Sequence, residues 1–107
     1  MKPITTIAIT AFAGLIFFGC ASVPPQELVN ARQAYEQAIN SPAAQLVPAE
    51  VHKAQQALFI AEKSFKDDPK SYITKDLAYI ADRKAKMAVA LGVTAAEKKT
   101  IEKANTD

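Results

Sequence analysis

SYITKDLAYIADRKAKMAVAL, residues 71–91, repeats its large apolar side chains at intervals of three and four: Ile73, Leu77, Ile80, Met87 and Leu91, with Lys84 as the one polar place on the line. That period belongs to an α-helix, because residues three and four apart share a face, whereas a half-buried strand alternates. Ala81, Ala85 and Ala88 flank the line, so the spacing predicts that Ile73, Leu77, Ile80, Met87 and Leu91 form the core seam of a helix running from about Pro69 or Ser71 to Leu91. Lys84 fits a seam if its aliphatic stem lies over it while the ammonium reaches water. Gly92 is expected to end this helix. Thr94-Ala95-Ala96-Glu97 then matches a capping box, which would begin a short, weak helix from Ala95 to about Ala104, unless the third helix simply continues after a kink.

Two more helices precede this one. Leu28, Ala31, Ala34, Tyr35, Ala38 and Ile39 recur at helical spacing from about Pro25 or Gln26 to Ile39, with polar residues between them. Asn40-Ser41-Pro42 closes that pattern, and Ser41 can cap a short turn that Pro42 begins. The next pattern starts near Pro48 and reaches Lys66, with Val51, Ala54, Leu58, Ala61 and Phe65 on one side; Glu50 suits the first turn and Lys63 and Lys66 the last. Asp67-Asp68-Pro69 follows, and Asp68 is the expected cap of the third helix. The fold class is therefore all-α: an antiparallel bundle of three helices with a short, weak C-terminal fourth helix. Alanine seams favour helix and allow close approach but bury little area, so a partner or a second copy is expected to add stability.

At the other end, Ile4 to Phe18 carries no charge, follows Lys2, and leads to Phe17-Phe18-Gly19-Cys20, which holds the chain's single cysteine. This is signal-peptide anatomy rather than a span of ~20 residues. The stretch resembles the lipobox of bacterial lipoproteins, with Gly19 and Cys20 in place and two phenylalanines where leucine and a small residue are more usual. The resemblance implies cleavage before Cys20 and acylation of its sulfur; a lone cysteine has no internal disulfide partner in an oxidising compartment. The expected organisation is a signal peptide at residues 1–19, a lipidated N-terminus and tether at 20–25, and an alanine-rich helical domain at 26–107. Ala21 is not acidic, which by resemblance to Gram-negative lipoproteins implies the periplasmic face of the outer membrane.

Residues that could carry chemistry are few. A net charge of +2, with no dense run of Lys or Arg, makes no case for nucleic acid. His52 is the only histidine and has no companions for a metal site or a general base, so no metal, cofactor or catalytic residue is expected. Asp67 and Asp68 are adjacent carboxylates, read as a helix-entry turn rather than an acid and base pair. Of the aromatic residues, Phe65 falls on a core face. Phe59, Tyr72 and Tyr79 either widen the core or form an exposed strip for a helical or peptide partner.

The segments Ser41 to Glu50 and Asp76 to Ala85, with Ala31-Arg32-Gln33-Ala34-Tyr35, resemble the DUF4398 family, small alanine-rich helical domains of bacterial envelope lipoproteins, some of which precede a wall-binding domain. The resemblance covers about residues 20–91 and implies location and fold, with no activity to transfer; compared with the longer members, this chain is expected to lack a wall-binding domain. The expected function is that of a non-enzymatic, outer-membrane-anchored structural or adaptor element, held by membrane lipid through Cys20 and contacting an envelope protein or itself. The alternative is a small helical module that binds a peptide, a cell-wall fragment or an apolar ligand.

Overall fold

The computed structural model describes residues 22–106, and the elements over them are helices: α1 (Gln26–Ile39), α2 (Ala43–Leu46), α3 (Pro48–Asp67) and α4 (Tyr72–Thr106). Each boundary has a chemical cause. Asn40 closes α1, its backbone and side-chain amides both donating to the Glu36 carbonyl. The Ser41 hydroxyl then accepts from the Ala43 amide at 3.1 Å, capping the single turn of α2 as the sequence suggests. Pro48 opens α3, where a missing N–H costs nothing. One sequence expectation changes at the next turn: the Asp68 carboxylate accepts from the Lys70 amide within the loop, and it is Ser71 Oγ, accepting from the Ile73 amide at 3.2 Å, that caps α4.

The chain runs up, down and up. Leu28 packs with Ala61, Ala78 and Ala81 at one end, Ala34 and Ala38 with Ala54 and Ala85 in the middle, and Ala43 with Val51 and Ala88 at the other end. Thus α1 and α4 run in the same direction and α3 opposes both. Among the described residues only Leu28 and Thr74 are large and fully buried; the rest of the core is mostly alanine. The Thr74 hydroxyl is not stranded, because it shares a 2.7 Å hydrogen bond with Ser64 across the α3–α4 interface.

The core seam of α4 is not the one its large residues announce. Ile73, Ile80, Met87 and Leu91 are exposed and Leu77 is half-buried, whereas Thr74, Ala78, Ala81, Ala85, Ala88 and Gly92 are buried. The two lines have the same heptad spacing and lie one residue apart. Small side chains let the helix axes approach towards the ~8 Å limit, and alanines on α1 and α3 meet alanines on α4 along that line. Ile39, expected in the core, is exposed as well, because α1 turns only its Leu28, Ala31, Ala34 and Ala38 edge inward.

Gly92 does not end a helix, and the separate fourth helix does not exist. Helix α4 continues unbroken for 35 residues, about 52 Å. The Thr94 hydroxyl donates to the Ala90 carbonyl, which uses up the proposed capping box inside a helix. Gly92 has no positive φ; its role is contact. A Cβ built there would lie 2.5 Å from both Cα and N of Ala43, so glycine is what lets α2 seat directly against α4.

Candidate functional site

The inverted placement of large and small residues leaves an apolar face on the molecule. Between α3 and α4 runs an open groove lined by Ala57, Ile60, Leu77 and Ile80, with Lys53 and Lys84 towards one end and Gln56 at its edge. Ile73 lies one turn before Leu77 and Met87 two turns after Ile80, and both are exposed. Sequence periodicity found these α4 residues but assigned them to the interior. The missed signal was the second line at Thr74, Ala78, Ala81, Ala85, Ala88 and Gly92, which carries the same spacing in small residues.

Phe59, Tyr72 and Tyr79 do not widen the core. They are 68%, 74% and 58% exposed, so of the two readings open in the sequence the surface one describes their position. They do not form one strip. Tyr72 and Tyr79 stand seven residues apart on α4 and share a face to within about 20°. Phe59 belongs to α3 and borders hollows with Gln55, Gln56 and Ile60 on one side and Glu62 and Lys63 on the other.

The polar groups are dispersed. His52, Asp67 and Asp68 are exposed, and among the described residues no three His, Cys, Asp or Glu side chains converge as metal ligands. Arg32 on α1 meets Glu62 on α3 through both carboxylate oxygens, with Nη2 to Oε2 at 2.8 Å, and this hydrogen bonding raises the guanidinium pKa further above its already high value. Both side chains are more than a third exposed, so the pair orients α1 against α3 more than it stabilises the bundle. Asp82 is the buried acid: Oδ2 pairs with Lys86 at 3.1 Å and Oδ1 has no partner.

Cys20 lies outside the described residues. No described helix is long and apolar enough to cross a membrane. No curated protein and no solved structure matches the chain. The profile described as "Domain of unknown function (DUF4398)" matches residues 26–104, which takes in all four helices but the last two residues of α4. Since the match spans most of the sequence, the chain belongs to the DUF4398 family.

Proposed function

We propose that the protein is a non-enzymatic envelope lipoprotein, acylated at Cys20 and held at the periplasmic face of the outer membrane, where its bundle serves as a structural or adaptor element. The observation that carries this reading is Phe17-Phe18-Gly19-Cys20 at the end of an uncharged apolar run. Diacylglyceryl and amide-linked chains, at ~0.8 kcal/mol per buried CH₂, would give two or three anchors where one chain alone gives marginal binding. The exposed side chains of Ile60, Ile73, Ile80 and Met87 support an adaptor role, since they offer a broad contact surface without an enclosed reaction site. The stretch Ala21-Ser22-Val23-Pro24-Pro25 is all that separates Cys20 from α1, so the bundle would stay near the bilayer.

The test is the mass of the N-terminal peptide of the protein recovered from cell envelopes. The expected terminus is Cys20 carrying diacylglyceryl and an amide-linked chain, with Cys20→Ala failing to be processed. An intact Met1 terminus in membranes would overturn the reading.

A further inference from the structure

We propose that the α3–α4 face is the docking surface for a second copy of this chain, packed antiparallel about a two-fold axis that passes through Ile80. This names the partner of the contact face described above and does not depend on acylation of Cys20.

The argument begins with charge along α4. Asp76 lies four residues before Ile80 and Lys84 four residues after it, with Arg83 beside Lys84, so the exposed stripe has an acidic side and a basic side balanced on an isoleucine. None of the three forms an ion pair among the described residues. A two-fold axis at Ile80 sets each Asp76 opposite the partner copy's Lys84, within reach of Arg83. It also sets Ile73 opposite Met87, seven residues to either side, and Ile80 against itself. Ile73, Ile80 and Met87 thereby meet apolar side chains, and the carboxylate of Asp76 meets a cation.

The parallel alternative fails on the same residues. In-register pairing would bring Lys84 against Lys84 on an otherwise apolar line, burying like charges together. Lys84 is therefore the residue that selects the antiparallel arrangement. The groove takes the rest of the contact: Ile60 on α3 and Leu77 on α4 flank Ile80 and offer a hollow to the partner's Ile80 side chain.

Size sets the strength. The overlap from Tyr72 to Ala88 is about 24 Å long, and two helices about 10 Å wide make it roughly 500 Å² per copy. That is below the ~800 Å² per partner of a standard interface, so the dimer is reversible in solution. Confinement of both copies to one membrane would raise their effective concentration and favour the pair.

The full chain, purified in mild detergent, is to be followed by sedimentation over a concentration series, with helicity checked by circular dichroism. A monomer–dimer equilibrium is expected. Asp76→Lys and Lys84→Asp should each weaken it about ten-fold or more, and the two together should restore it to within about three-fold, because the pair is re-formed with its signs exchanged. A photo-cross-linking residue in place of Ile80 should join position 80 of one copy to position 80 of the other. Monomer at every concentration, single variants indistinguishable from the native protein, a double variant as weak as the singles, or capture by Ile80 of a protein of different mass would each overturn the proposal. The N-terminal mass reads acylation separately, so failure of either proposal is visible without the other.

Discussion

Gly92 stands mid-helix, where propensity alone favours alanine by about 1 kcal/mol. Contact decides against that gain. A Cβ at 92 would press on backbone atoms of Ala43, which cannot rotate away as a side-chain tip could, and overpacking of this kind costs about 1–3 kcal/mol. Gly92→Ala is therefore expected to lower stability by up to about 2 kcal/mol in denaturant unfolding, the overpacking cost less the propensity gain; a stability gain would mean that α2 is not seated against α4 in solution. Asp82 points the other way. Its Oδ1 is buried without a partner, which costs about 1–3 kcal/mol, while the exposed Lys86 offsets only part of this. Asp82→Ala should leave the fold intact and raise stability by about 1 kcal/mol. A loss above about 2 kcal/mol in the same assay would show that this carboxylate holds the bundle together.

Helix α4 shows how far the sequence could be read. Its helical character and its N-terminal limit follow from period and turn residues, and the termini of α1 and α3 do too. The face it buries does not follow, because two lines of equal spacing compete, and hydrophobicity alone favours Ile73, Leu77 and Ile80 over Ala78, Ala81 and Ala85. What decides is that α1 and α3 also present alanine, so backbone approach outweighs side-chain area at this seam. The surface position of Tyr72 and Tyr79 follows from the same rotation of the helix. Gly92 was misleading for a related reason: a glycine that relieves a contact and a glycine that ends a helix look alike until Ala43 is placed opposite. The corrected seam reverses an expectation about which leucine matters. Leu28→Ala, at a fully buried site, should cost about 2–5 kcal/mol, whereas Leu77→Ala, half-buried on the groove, should cost less than about 2 kcal/mol. Equal losses in urea titrations of the two variants would return Leu77 to the interior.

At the level of the whole molecule, the proposed function rests on attachment and on a contact face, and the following variants test it. Cys20→Ala is expected to abolish membrane recovery, while His52→Ala and Asp68→Asn, both exposed and outside the α3–α4 face, should leave location and dimerisation unchanged in fractionation and sedimentation. Selective loss of either property in a folded His52→Ala protein would identify a polar binding site at the start of α3. The alanine interior has a thermal consequence as well. The heat-capacity increment of unfolding grows with the apolar surface exposed, at roughly +0.45 cal/K/mol per Å², and a core of methyl groups with isoleucines already outside releases little of it. The stability curve of this bundle should be flatter than that of a domain with a leucine and phenylalanine core, with an increment below the usual ~12 cal/mol/K per residue in scanning calorimetry. Such a protein keeps a nearly even stability from cold to warm surroundings, loses little to cold denaturation, and melts over a broad range of temperature.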